Sequence, residues 1–236
     1  IGPSNCGKTH LLMKLLLKEK YTNYDKMYLY SRSLHQPYYQ MLKACFDNCL
    51  PRKDIYQMFI QGIADNINHR PLLEEFIQEK LSEEDFIQSK ITCECNEEID
   101  ELPDPKEVDN NYKNLVVFDD LIDDKQTQLG KYFTRGRHNN INTIYISQSY
   151  FHLPRKTIRN NSNIIILFKL PMKDVQNIYQ DLASADMQIK EFKTLCQTAW
   201  SEDYGYLFID LTKDKYLGKY RVGLNQYFIP ETDPLS

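Results

Sequence analysis

No apolar run in this sequence approaches the roughly 20 residues that a membrane-crossing helix needs. No basic-then-apolar segment opens it as a secretion signal would. Cysteine is sparse: six in 236 residues do not make a disulfide scaffold, which points to free thiols in a reducing compartment. Neither an internal repeat nor a low-complexity tract is present. The rest of the composition is ordinary, with 42% hydrophobic and 26% charged residues, and it excludes collagen-like, disordered and coiled-coil chains. This length suits one large domain, or one domain with an insertion, and is ample for a core. The opening Ile1-Gly2-Pro3 carries no Met, so the expectation is a segment of a longer protein.

The most informative absence is local. Between Asp124 and Asp174 there is no acidic residue, yet the stretch holds Lys125, Lys131, Arg135, Arg137, Arg155, Lys156, Arg159, Lys169 and Lys173. Residues 74 to 109 are the reverse, with 14 acids against Lys80, Lys90 and Lys106. The net charge of -4 therefore averages two opposite blocks. Block asymmetry is the footprint of a face that handles a polyanion, or of basic residues serving only solvation and helix ends.

Strand-like and helix-like segments alternate. Leu11, Leu12, Leu15 and Leu16 predict a helix over 8–19, with His10, Lys14 and Lys18 as a narrow polar stripe. Helices are also expected over 37–48, near 72–81, over 172–183 and over 186–199. Strands are expected at 27–31, 54–61, 115–118, 142–147, 164–168 and 206–209, and 206–209 with a final segment around 216–222 is expected to close the domain as a hairpin. The acidic stretch 94–113 reads as an excursion from the core. Continuous apolar strands separated by helices predict a parallel sheet covered on both faces.

Gly2-Pro3-Ser4-Asn5-Cys6-Gly7-Lys8-Thr9 matches the phosphate-loop pattern G-x-x-x-x-G-K-[ST] at every fixed position. Such a loop turns its backbone N–H groups around phosphate oxygens, and Gly2 and Gly7 allow the dihedrals and the close approach. The following helix offers its positive end. Lys8 then reaches the β- and γ-phosphates and Thr9 holds Mg²⁺. A strand is expected ahead of Gly2. Leu115-Val116-Val117-Phe118 ends in Asp119-Asp120, which puts carboxylates at the ligand-binding edge of the sheet. Asp119 is the candidate Mg²⁺ ligand, and Asp120 the general base or water-positioning group. The long interval between Lys8 and Asp119 predicts at least one extra strand between them. Gln148 ends the next strand, where it can sense the γ-phosphate. Arg137, eleven residues before Gln148, is the candidate for spreading phosphoryl charge, from a neighbouring subunit.

These segments, with Arg135-Gly136-Arg137-His138-Asn139-Asn140-Ile141-Asn142 and Thr157-Ile158-Arg159-Asn160-Asn161, resemble the genome-packaging ATPases of large double-stranded DNA viruses and self-synthesising DNA transposons. That family lies in the FtsK–HerA branch of P-loop motors. The resemblance runs in order over roughly residues 1 to 170. It implies an α/β RecA-like (ASCE) P-loop NTPase over residues 1–236, truncated before its first core strand and carrying an acidic insertion around 74–113. It also implies ATP and Mg²⁺ as cofactors, a homo-oligomeric ring (pentamer or hexamer), viral capsid proteins as partners and no membrane. Action is expected in the host cell at sites of virus assembly. The wider superfamily has Glu where this chain has Asp120, one methylene shorter; the packaging branch tolerates Asp there. The trans-acting arginine falls on Arg137, with Arg135 and Arg159 as alternatives.

In that light Lys131, Arg155, Lys156 and Arg159 become candidates to line a channel that grips double-stranded DNA through its phosphates, without regard to sequence. Tyr150 and Phe151 beside them are expected to pack rather than insert. Two other readings stand: a non-motor P-loop NTPase or kinase, or a domesticated nucleotide-binding scaffold.

Overall fold

The structure, a computed structural model, describes residues 1–231; the remainder of the expected domain span, 232–236, lies outside them. Its contacts divide the chain into two compact units. One runs continuously from Thr9 to Ile146, and the other combines Ile1–Lys8 with the chain from Ser147 onward. All six cysteines are free thiols.

The continuous unit is entered through α1 (Lys8–Leu17), which buries Leu11, Leu12, Met13, Leu16 and Leu17. Strand β1 (Lys26–Ser31), helices α2 (Pro37–Asp47), α3 (Arg52–Ile60) and α4 (His69–Leu81), and strands β2 (Thr92–Asn96) and β3 (Asn114–Asp119) follow. Helix α5 (Gln126–Arg135) and strand β4 (Ile141–Ile146) complete it. The strands form an all-parallel sheet in the order β2-β1-β3-β4. β3 is buried along its whole length, as its continuous apolar run requires. Two clusters pack against the sheet. One gathers α1, α2, α3 and α4 with Leu29, Leu115 and Val117. The other holds Tyr30, Val116, Phe118, Leu129 and Tyr132.

Two expectations are corrected here. The segment expected as a strand over 54–61 is instead helical from 54 to 60, with Gln61 as the cap: Ile55, Met58 and Phe59 are buried at the i, i+3, i+4 spacing of a helical face. That helix meets the polar stripe of α1, with His10 against Phe59 at 4.7 Å and the Lys18 ammonium 4.5 Å from the Tyr56 ring centre. The acidic stretch does not leave the core. It begins within β2, the edge strand paired to β1, and it then buries Ile99, Leu102 and Val108 while its acids face outward. The extra strands expected between Lys8 and Asp119 are β1 and β2.

The second unit carries β5 (Ile164–Phe168), α6 (Met172–Leu182), α7 (Ile189–Ala199), β6 (Tyr206–Asp210), β7 (Tyr220–Val222) and β8 (Gln226–Phe228). Its sheet runs β5-β6-β7-β8 with every pairing antiparallel, so β5 does not join its neighbour in the parallel manner its sequence suggests. The expected closing hairpin is the antiparallel pair β6–β7, and β8 extends it by one further strand. The backbone of Ile1 lies along β5: its nitrogen donates to the Ile166 carbonyl at 2.8 Å, and its carbonyl accepts from Phe168 N–H at 2.9 Å. Gly2 N–H faces the other way and donates to the Ser147 carbonyl at 3.2 Å. Ile1-Gly2 thus has the hydrogen bonding of a strand end, with β5 on one flank and Ser147 on the other.

Candidate functional site

The two glycines of the loop serve different needs. Gly7 is left-handed, with φ 96°, a conformation open to glycine and strained for other residues. Gly2 is a matter of space. A Cβ there would come within 2.7 Å of both Cys6 Sγ and Phe168 Cβ. Asn5 is also left-handed, with φ 58°, and Asn tolerates this better than most residues. Changes of handedness along a loop turn successive N–H groups toward one concavity, the geometry that receives an anion. Pro3, Ser4 and Asn5 are exposed, while Cys6, Gly7, Lys8 and Thr9 are half-buried. Helix α1 then starts at Lys8 with no acidic residue in its first turn to repel an anion at its positive end. The Lys8 ammonium folds back along the loop, donating to the carbonyls of Gly2 at 2.7 Å and Pro3 at 2.5 Å.

Gln148 is exposed at the tip of a tight turn. Ser147 Oγ donates to the Ser149 carbonyl at 2.8 Å and accepts from Ser149 N–H at 3.2 Å. Because Ser147 also receives the Gly2 N–H, the structure brings the residue before Gln148 onto the backbone of the phosphate loop.

In the continuous unit, β3 carries the acids. Asp119 is buried at the strand end, and Asp120 follows it, exposed and left-handed with φ 57°. Asp119 Oδ2 accepts a 2.5 Å hydrogen bond from the hydroxyl of Tyr39, a residue of α2 that is only 1% exposed. The Thr9 side chain is near enough to act on the same hydroxyl, where it favours the ionised form. Burial, and then the Asp119 charge beside it, raises the Tyr39 phenol far above its ordinary range, so it remains a donor at neutral pH. Thr9 and Asp119, the two candidate Mg²⁺ ligands, thus both act on the Tyr39 hydroxyl, Asp119 through a hydrogen bond. An uncharged hydroxyl and a carboxylate are the hard oxygen donors that Mg²⁺ takes. Sequence reasoning missed Tyr39 because nothing local distinguishes it from the other tyrosines.

The remaining candidates are dispersed. Arg135 ends α5, and Arg137 lies in the single-turn helix Gly136–Asn139; both are exposed. Lys131 is held by Asp104 at 2.9 Å. The Lys131 ammonium, and then the Lys106 N–H, keep the Asp104 carboxyl below the usual carboxylate range. Arg159 pairs with Asp181 at 2.8 Å, donates to the Leu153 carbonyl at 3.1 Å and lies 4.7 Å from the Tyr150 ring centre. Arg155 reaches the same Asp181 at 3.5 Å, and Lys156 is exposed. Tyr150 is buried in the core of its unit, in a packing role, with the Phe151 ring edge-on to it at 5.1 Å. Among the described residues, no helix is long and apolar enough to cross a membrane.

A four-strand parallel sheet flanked by helices, with acids at the end of its buried strand, is the α/β fold of a RecA-like P-loop NTPase. More narrowly, the chain belongs to the family of the Poxvirus A32 protein, whose model matches residues 75–210. That is the poxvirus family of genome-packaging ATPases, packaging motors of the FtsK–HerA type, which act in infected cells at sites of virus assembly. The match takes in Asp119, Asp120, Arg137 and Gln148, and Gly2–Thr9 lie ahead of it. No curated protein matches the sequence closely enough to count as a relative.

Proposed function

We propose that this chain is an Mg²⁺-dependent ATPase that drives double-stranded DNA into a viral capsid as a ring of identical subunits. Residues 1–236 act as one P-loop ATPase domain with an acidic insertion around 74–113. The triphosphate of ATP is cradled by Gly2, Pro3, Ser4, Asn5, Cys6 and Gly7. Lys8 neutralises the β- and γ-phosphates, and Thr9 with Asp119 holds Mg²⁺. Asp120 orients the attacking water, Gln148 reports the γ-phosphate, and Arg137 completes the site of a neighbouring subunit. DNA is gripped through its phosphates by the exposed Arg155 and Lys156. Lys131 and Arg159 take part only by exchanging Asp104 and Asp181 for DNA.

The observation that carries this reading is the Tyr39 hydroxyl. It is hydrogen-bonded to Asp119 and lies within reach of Thr9, two residues far apart in sequence that a shared metal site would draw together. The test is steady-state ATP hydrolysis with and without duplex DNA, beside Lys8→Ala. The expected outcome is stimulation by DNA of any sequence, weakened by salt and abolished in the variant. Hydrolysis indifferent to DNA would point to a non-motor NTPase instead, and ATP binding without turnover to a scaffold.

A further inference from the structure

Gly7 touches a residue that phosphate binding does not need. Tyr204 lies in the connection from α7 to β6, and a Cβ at Gly7 would sit 3.0 Å from both Tyr204 Cβ and Cδ1. Tyr204 is 68% exposed, although it is a large aromatic residue. Its φ of 60° is left-handed, an outlier for a bulky side chain, and such strain persists only where the surroundings over-determine it.

The surroundings do so. A Cβ at Gly205 would fall 2.3 Å from the Ala199 carbonyl and 3.0 Å from that of Glu202, so the turn is pressed onto the end of α7. Gly205 N–H donates to the Glu202 carbonyl at 3.0 Å. The indole of Trp200 anchors the same end of α7 to the Leu167 carbonyl of β5 at 2.9 Å. The antiparallel register pairs Phe168 with Tyr206, which brings the start of β6 to the end of β5. Ile1 passes into the phosphate loop at that same end. A rigidly held, solvent-facing aromatic side chain therefore stands against the loop, on the flank away from Ser147.

We propose that Tyr204 is the stacking platform for the base of the bound nucleoside triphosphate. This rests on reading Gly2–Thr9 as the phosphate site. Stacking on an aromatic face accepts every base, so ATP and GTP are expected to bind with similar affinity.

Titration calorimetry on the full chain separates base from phosphate, with MgATP and inorganic tripolyphosphate as the two probes. Tyr204→Ala is expected to weaken MgATP binding on the order of tenfold or more and to leave tripolyphosphate binding unchanged. Tyr204→Phe and Tyr204→Trp are expected to retain MgATP affinity. Equal weakening of both probes by Tyr204→Ala would mean that the residue only props the loop, and no change in either would mean that it contacts no part of the nucleotide; each overturns the proposal. Lys8→Ala reports on the phosphate site separately and should weaken both probes. Indifference to Lys8→Ala, or no binding of either probe by the unaltered chain, would remove the phosphate-site reading and this proposal with it.

Discussion

Asp119 carries its charge at the end of a buried strand, with one oxygen held by the Tyr39 hydroxyl. Tyr39→Phe keeps the ring in the core and removes only that donor. A hydrogen bond to a charged group is worth about 1.5–3 kcal/mol, so urea unfolding should show a loss of that order. Nucleotide binding that depends on Mg²⁺ should weaken as well, while metal-free nucleotide binding should hold. A loss of stability with no change in Mg²⁺ dependence would confine the hydroxyl to a packing role. The place of Asp119 at a strand end and the glycine positions of the Gly2–Thr9 turn were legible in sequence because backbone geometry dictates residue types at fixed spacing. Tyr39 and Tyr204 were not. Their contacts are with residues distant in sequence, Asp119 for one and Gly7 for the other, and no local pattern announces either.

Among the elements, α3 and β5 show what periodicity leaves undecided. Ile55, Tyr56, Phe59 and Ile60 are good strand formers, but the burial of Ile55, Met58 and Phe59 on one helical face outweighs that preference. β5 was correctly placed, yet its pairing was misread. A single helix between two strands returns the chain to a parallel neighbour, whereas the pair α6 and α7 brings it back at the end it left, and β6 runs the other way. The segment after β4 also divides its basic residues by partner. Arg159, with its side chain 12% exposed, ties this segment to Asp181 of α6. Arg159→Ala is therefore expected to lower the midpoint of thermal unfolding. Lys156→Ala should leave that midpoint unchanged. It should instead weaken duplex binding uniformly across sequences and reduce the slope of log affinity against log salt by about one. A salt slope unchanged in Lys156→Ala would take that lysine off the DNA path.

For the whole molecule, the charge blocks read from sequence acquire places. Part of the acidic block is spent inside the chain, where Asp104 holds Lys131. Arg137 is exposed on its single-turn helix, which is what the proposal that it acts on another subunit requires. Arg137→Ala chains should lose hydrolysis alone and regain it when mixed with Lys8→Ala chains, because each supplies what the other lacks at a shared site. Failure to regain activity at any mixing ratio would place the arginine's role within its own subunit. The division of the chain adds a matter of timing. Thr9–Ile146 is contiguous and can collapse as soon as it has been synthesised. The loop ahead of it meets its neighbours Ser147, Phe168 and Tyr204 only after much more chain has followed. On the ribosome, this loop emerges ahead of the chain it packs against, so it reaches its final surroundings only once Tyr204 has been made.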